Sequence, residues 1–123
     1  MQRMNILVVG GGGREHAIIK KLSESPLAGE IYAMPGNGGI SKLARCLLIK
    51  PTDIDGMVTA ATGLGVDFAV VAQDDPLVLG AADRLREAGI PCFGPTAAAA
   101  RIEGSKLFAK ELMKKYRIPT ARY

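Results

Sequence analysis

The sequence predicts an α/β fold, with a parallel sheet of about five strands and helices on both faces. Short apolar segments alternate about five times with helical patterns, as in strand–helix–strand units. The strand segments consist mainly of consecutive apolar residues, as in Asn5–Val9 (NILVV), which indicates that both sheet faces are covered. The length of 123 residues suits one domain with its own core.

The first half of the chain contains three of the predicted strands. Asn5–Val9 ends at glycines, and a helical stripe of apolar residues follows over 14–25. This helix ends before Pro26, because the residue that precedes proline disfavours helical backbone. The second strand is predicted at Glu30–Met34 and is followed by a helical turn at Ile40–Ala44. The third strand is predicted at Cys46–Ile49, and the helix after it runs from Thr52 or Asp53 to about Gly63.

The second half continues the alternation. Asp67–Ala72 predicts the fourth strand, and one helix is predicted from near Pro76 to about Ala88, where Gly89 suits a left-handed stop. A short fifth strand, at Pro91–Phe93, follows this helix. Two more helices are predicted over 96–102 and 105–116, before Ile118 and Pro119.

Four consecutive glycines, Gly10–Gly13, follow the first strand. In a doubly wound sheet, ligands bind beyond the carboxyl ends of the strands. Glycines there permit positive φ and allow backbone N–H groups to approach an anion, and the next helix adds the positive end of its dipole. The loop therefore predicts a phosphate site, with a tight structural turn as the alternative. Arg14 is either an additional cation for the phosphate or an ordinary solvent-facing residue of the first helical turn.

The glycine spacing favours a monophosphate over a dinucleotide. Counted from each of the first three glycines, the sixth position of the G-x-G-x-x-G/A fingerprint is Glu15, His16 or Ala17, and only Ala17 fits, weakly. The acidic ribose ligand expected about 20 residues on has only Glu30 as a candidate, at the start of a strand. No Lys-Ser/Thr pair follows the glycines, so the loop is not a P-loop.

Three further loops are predicted at the same edge of the sheet, and one of them, FGPT after the fifth strand, is a turn in which Thr96 suits a helix cap. Asn37, between glycines in MPGNGG, is either a ligand-binding amide or a plain turn residue. Asp74 and Asp75, in AQDDPL, are either acceptors for sugar hydroxyls or helix caps. A phosphate on the first loop with acids on a neighbouring loop would suit a sugar phosphate.

The composition argues against several other classes of protein. The net charge of +4 is dispersed except in Lys106–Arg122, and few aromatic residues accompany it, so we expect no nucleic-acid partner. Cys46 and Cys92 are expected to be buried free thiols, without a disulfide or a metal site. The absence of a signal peptide and of a long apolar stretch predicts a cytoplasmic protein without a membrane partner.

Five segments together resemble a known family. VVGGGGREHA, PGNGG, DDPLV, FGPTAAAARIEGSK and IPTARY occur in an order and spacing similar to the amino-terminal region of the phosphoribosylamine–glycine ligases, which are ATP-grasp carboxylate–amine ligases. The resemblance covers essentially the whole chain. It implies a Rossmann-like, pre-ATP-grasp domain over 1–103 that binds substrate, and the start of a connection to an absent ATP-grasp domain over 104–123.

The resemblance also implies a reaction and its participants. Members join glycine to 5-phosphoribosylamine in purine biosynthesis, and ATP with Mg²⁺ or Mn²⁺ activates the glycine carboxylate as an acyl phosphate. Lys106, in EGSK, matches a position that contacts ATP phosphates. The residues that match the family's substrate-binding motifs are Gly11, Gly12, Gly13, Arg14, Glu15, His16 and Asn37.

One segment departs from the family pattern. The family reads G-P-E-x-P-L after the fourth strand, where this chain has AQDDPL. The glutamate that would face the ribose is therefore Asp74, shorter by one methylene, and Asp75 could share its role. We expect the chain alone to be an inactive monomer without a bound cofactor. The alternatives are a dinucleotide-binding oxidoreductase domain and a phosphate-binding module without chemistry.

Overall fold

The computed structural model describes residues 3–119, apart from the side chains of 102–104. Within these residues it contains a five-stranded parallel sheet with the strand order β3-β2-β1-β4-β5. The strands are β1 Met4–Gly10, β2 Ala28–Pro35, β3 Arg45–Cys46, β4 Phe68–Val71 and β5 Cys92–Phe93. The predicted α/β fold with a parallel sheet is therefore confirmed.

Helices follow the strands in the predicted order. Asp53, rather than Thr52, caps the second helix and accepts a 3.0 Å hydrogen bond from the Gly56 amide. Thr96 and Ser105 cap the last two helices in the same way. The helices are α1 Gly13–Ser23, α2 Ile54–Gly63, α3 Asp74–Val78, α4 Ala81–Glu87, α5 Ala97–Gly104 and α6 Lys106–Lys115, with a 3-10 turn at Ile40–Lys42.

The sheet buries both of its faces, as its apolar strands predict. Along β1, Leu7 and Val9 pack on one face with residues of α2, α4 and α5. Ile6 and Val8 pack on the other face, where α1 contributes Ile19. Side chains alternate across a strand, so a continuously apolar strand is stable only with a layer on each side.

Two predicted elements differ from the structure by more than a shift of one or two residues at their ends. The helix predicted from Pro76 to about Ala88 is two helices, α3 and α4, because Gly80 lies between them with a φ of +91°. The third strand was predicted at Cys46–Ile49 but contains only Arg45–Cys46. The amide of Ile49 bonds to the Leu47 carbonyl, which turns the chain away from the sheet and leaves Leu48 99% exposed.

The strand order places the candidate loops side by side. β1 is central, with β2 on one side and β4 on the other. The connection after β1 leads to β2 on one side of the sheet, and the connection after β4 leads to β5 on the other, so the crevice between the ends of β1 and β4 is a topological switch point. The glycine loop after β1 and the AQDDPL loop after β4 flank this crevice.

Candidate functional site

A cavity of about 340 Å³ lies between the loops that follow β1 and β4. The site combines exposed glycine backbone, one arginine and a half-buried aspartate. Its lining residues are Gly12, Gly13, Arg14, Glu15, Gln73 and Asp74. The structure thus brings together five of the predicted site residues, and adds Gln73, which sequence reasoning did not select.

The four glycines of the loop divide into two pairs. Gly10 has a φ of +127°, and a Cβ atom there would lie 2.6 Å from Glu15 Oε1. A Cβ atom at Gly11 would lie 2.5 Å from the Gly36 carbonyl oxygen, so the fold itself requires both glycines. Gly12 is less crowded, and a Cβ atom at Gly13 would meet no atom within 4 Å. The fold therefore does not explain Gly13.

The first turn of α1 presents unpaired backbone donors. The helix begins at Gly13, after Gly12 as its N-cap residue. Among the described residues, none accepts a hydrogen bond from the amides of Gly13, Arg14 and Glu15. Such amides, together with the positive end of the helix dipole, form a favourable site for an anion.

The carboxylate of Glu15 is engaged in contacts within the protein. Its side chain is buried, with the residue 2% exposed. Its Oε1 atom accepts hydrogen bonds from the Gly12 amide at 3.0 Å and from Gln73 Nε2 at 2.9 Å. Both bonds are internal, so in this structure Glu15 holds the glycine loop against the loop that follows β4.

Arg14 spans the crevice. Its exposed side chain starts in the first turn of α1, and Nη1 donates a 2.6 Å hydrogen bond to the Ala72 carbonyl at the end of β4. A guanidinium has five N–H donors. Arg14 lines the cavity, and the remaining donors of its guanidinium are suited to a phosphate.

Asn37 and His16 lie on the β2 side of the glycine loop and do not line the cavity. Asn37 Nδ2 donates to the Gly11 carbonyl at 2.8 Å, and Asn37 Oδ1 accepts from the Ile40 amide at 2.8 Å. The half-buried His16 packs beside Gly39, where a Cβ atom would lie 2.8 Å from His16 Cε1. Asn37 therefore links the two loops through hydrogen bonds.

The loop after β4 separates the roles of its two aspartates. Asp74 is half-buried and lines the cavity, whereas Asp75 is exposed and is not a lining residue. The N-cap of α3 is Gln73, so neither aspartate occupies the cap position. Gln73 was missed although its place, directly before Asp74 at the carboxyl edge of the sheet, was a usable signal.

The remaining predicted site residue, Lys106, lies elsewhere. It is the exposed first residue of α6 and is not part of the cavity. The described part of the chain contains no group of three or more His, Cys, Asp or Glu side chains that could hold a metal ion. Over the same residues, no helix has the length and apolar character needed to cross a membrane.

A second cavity, of about 390 Å³, lies near the amino ends of β1 and β2. It is slightly larger and includes Arg3, Glu30 and Arg45 in its lining. None of the predicted site residues lies there. In open α/β sheets the ligand crevice is at the carboxyl edge, so the cavity beside the glycine loop is the better candidate site.

The strand order and the cavity at the switch point define a Rossmann-like α/β domain with a ligand crevice at its carboxyl edge. Residues 4–103 match the family described as phosphoribosylglycinamide synthetase, N domain. The chain therefore belongs to this family, as the sequence motifs predicted.

Individual relatives agree with this assignment. The phosphoribosylamine–glycine ligase of Caulobacter vibrioides is 46% identical over 123 residues, which are 100% of this chain and 29% of that protein. The enzyme of the same name from Caldanaerobacter subterraneus subsp. tengcongensis is 48% identical, over 98% of this chain and 29% of its own length. The chain thus spans 29% of the length of each of these curated relatives.

A solved structure supports the fold. The phosphoribosylamine–glycine ligase of Thermotoga maritima superimposes on this chain with a TM-score of 0.67 and is 28% identical. The match covers 96% of this chain and 26% of that structure. The Rossmann-like domain is therefore part of a much longer protein in these relatives.

Proposed function

We propose that this chain is the 5-phosphoribosylamine-binding domain of a phosphoribosylamine–glycine ligase. Membership of the family supports the proposal. The observation that carries it is the pairing of free first-turn amides and Arg14 on one wall of the cavity with Asp74 on the other. A pentose phosphate has matching chemistry, with an anionic end and hydroxyl groups.

We assign the phosphate to the start of α1. The amides of Gly13, Arg14 and Glu15 point along the helix axis, and the helix dipole favours negative charge at this end. Gly13 adds no side chain at the cavity wall, so the phosphate oxygens can approach the backbone closely. Arg14 supplies the charge that the neutral amides lack.

We assign the ribose to Asp74. An ionised carboxylate accepts hydrogen bonds only, and ribose hydroxyls are donors. Asp74 lies across the crevice from the amides of α1, so one ligand could contact both walls. Asp75 remains a candidate for this role only if its exposed side chain moves toward the cavity.

The whole enzyme would join glycine to the bound amine with ATP. ATP would supply the phosphoryl group that activates the glycine carboxylate. The described residues do not fit a Mg²⁺ or Mn²⁺ site, because they contain no suitable group of metal-ligating side chains. Lys106 is exposed, and its ammonium group could contact a phosphate of ATP that is bound in another domain. We therefore assign this chain to substrate binding and no step of phosphoryl transfer to its residues.

Calorimetric titration of the 123-residue chain with ribose 5-phosphate tests the proposal. We expect saturable binding, and we expect Arg14→Ala to weaken it by about tenfold, because a charge-assisted contact is lost. NADH is the second ligand, since tighter binding of NADH would favour the oxidoreductase alternative.

Arg45→Ala is the matched control for Arg14→Ala. Arg45 lines the cavity at the amino end of β2, so its removal should leave ribose 5-phosphate binding unchanged. Loss of binding in Arg45→Ala but not in Arg14→Ala would move the site to the other end of the sheet. No binding by the unsubstituted chain would contradict the proposed function.

A further inference from the structure

One buried oxygen atom joins the two loops of the candidate site. Glu15 Oε1 accepts a 3.0 Å hydrogen bond from the Gly12 amide and a 2.9 Å hydrogen bond from Gln73 Nε2. We propose that Gln73 is a positioning residue, which acts through Glu15 to hold the glycine loop in its phosphate-binding conformation. This inference rests on the proposed function and adds a residue to it.

The burial of Glu15 makes its hydrogen bonds important. The residue is 2% exposed, so water is a poor substitute for a lost partner. A buried carboxylate that loses a donor is destabilised. A shift of its oxygen would also displace the Gly12 amide, which donates to the same atom. Gly10 packs over the same oxygen, which ties the whole start of the loop to the position of this carboxylate.

The position of Gln73 connects the two ends of the proposed ligand. Gln73 is the N-cap residue of α3 and directly precedes Asp74. A second link runs in parallel, from Arg14 to the Ala72 carbonyl at 2.6 Å. Together the two hydrogen bonds fix the first turn of α1 relative to the end of β4, and hence the phosphate end of the site relative to the ribose end.

Two ligands separate a positioning role from direct contact. A residue that orders the glycine loop affects inorganic phosphate and ribose 5-phosphate to the same extent, because both use the loop. A residue that contacts the sugar affects ribose 5-phosphate alone. Gln73 lines the cavity, so the two ligands test whether it contacts the sugar, and hydrogen exchange of the Gly12 amide tests whether it orders the loop.

The test uses the 123-residue chain with Gln73→Met, which keeps the side-chain length and removes the donor to Glu15. We expect the dissociation constants of inorganic phosphate and ribose 5-phosphate to rise together by about fivefold. We also expect faster hydrogen exchange of the Gly12 amide in NMR spectra. The urea midpoint, measured in parallel, shows whether the chain stays folded.

Two variants serve as references. Asp74→Asn should weaken the binding of ribose 5-phosphate and leave the binding of inorganic phosphate unchanged. Glu87→Gln, on the exposed surface of α4, should change the affinity for neither ligand. If Gln73→Met binds both ligands as tightly as the unsubstituted chain, or loses only ribose 5-phosphate, the inference is wrong and the proposed function stands. If the unsubstituted chain binds neither ligand, both fail.

Discussion

At the scale of single residues, Gly13 separates the requirements of folding from those of binding. It is the first residue of α1, and a side chain there would meet no protein atom within 4 Å. Glycine is a poor helix former, so the fold alone would favour another residue. The position is understandable if a ligand approaches this backbone closely.

We therefore predict opposite effects of Gly13→Ala on stability and on binding. The free energy of unfolding should rise by about 0.5 kcal/mol, because alanine loses less backbone entropy on folding. The affinity for ribose 5-phosphate should fall by about tenfold or more, which corresponds to about 1.4 kcal/mol, since a methyl group would crowd the phosphate. Urea unfolding and calorimetry measure the two quantities.

Gly63→Ala is the control for this substitution. Gly63 is the last residue of α2, and a Cβ atom there would also meet no atom within 4 Å, but this residue lies outside the cavity. The variant should gain stability and bind ribose 5-phosphate normally. Unchanged affinity in Gly13→Ala would remove the functional explanation for the exposed glycine.

The two adjacent aspartates give a second prediction at this scale. Asp74→Ala should lower the affinity for ribose 5-phosphate by about tenfold, because an acceptor for the hydroxyls of the ligand is lost. Asp75→Ala should have a much smaller effect, because Asp75 is exposed and does not line the cavity. Calorimetry of both variants decides, and a larger loss in Asp75→Ala would show that the loop after β4 rearranges when the ligand binds.

Sequence reasoning predicted which candidate residues lie together better than it predicted their contacts. The glycine loop was predictable because its signal is local: four glycines between an apolar strand and a helix. The inward direction of Glu15 was not, since it depends on Gln73, which is 58 positions away in the sequence. Contacts between distant loops follow from the strand order, which motif spacing alone does not specify.

At the scale of elements, the strongest predictions came from continuous apolar strands and capped helices. The single helix predicted after β4 was wrong because the pattern of apolar residues continues across the break at Gly80. The length of β3 was overestimated because an apolar run, CLLI, does not show where an edge strand leaves the sheet. The exposure of Leu48 shows that an apolar run at the edge of the sheet predicts neither burial nor backbone path.

The short strand β5 offers a pH-dependent test of the packing at the other edge of the sheet. Burial raises the pKa of the Cys92 thiol, and Asp83 adds to this while Arg86 opposes it. Because the thiolate is the reactive form, we predict that iodoacetamide modifies Cys92 more slowly at about pH 8 in the folded chain than in urea. The measurement uses Cys46→Ala, so that Cys92 is the only thiol.

The same pKa shift predicts the direction of a stability change. The folded state holds the Cys92 proton more tightly than the unfolded state, so its contribution is present below the unfolded pKa of about 8.5. It is lost as the pH rises toward the pKa of the folded state. The urea midpoint should therefore fall more steeply above about pH 8.5 in the unsubstituted chain than in Cys92→Ala. Equal slopes, or rapid modification of folded Cys92, would indicate that β5 opens in solution.

At the scale of the whole molecule, the parallel strand order determines which loops can cooperate. The switch point brings residues of the loops that follow β1 and β4 into one cavity. On the other side, the loop that follows β2 donates a hydrogen bond to the glycine loop. Phosphoryl transfer depends chiefly on positioning and on stabilisation of charge by cations. Arg14 lines the cavity beside the glycine loop and Lys106 does not, in keeping with the proposed role of this chain in substrate binding.

We accordingly predict that the 123-residue chain binds ribose 5-phosphate but does not form an amide bond from glycine and 5-phosphoribosylamine. The relatives that carry the name of the ligase are more than three times as long, since this chain spans 29% of them. A coupled assay of ADP release, with ATP, glycine and 5-phosphoribosylamine, measures the activity. Binding of ribose 5-phosphate by the same preparation ensures that a negative result does not come from unfolded protein. Turnover at the rate of a full-length ligase would contradict the prediction and would require a nucleotide site within these residues.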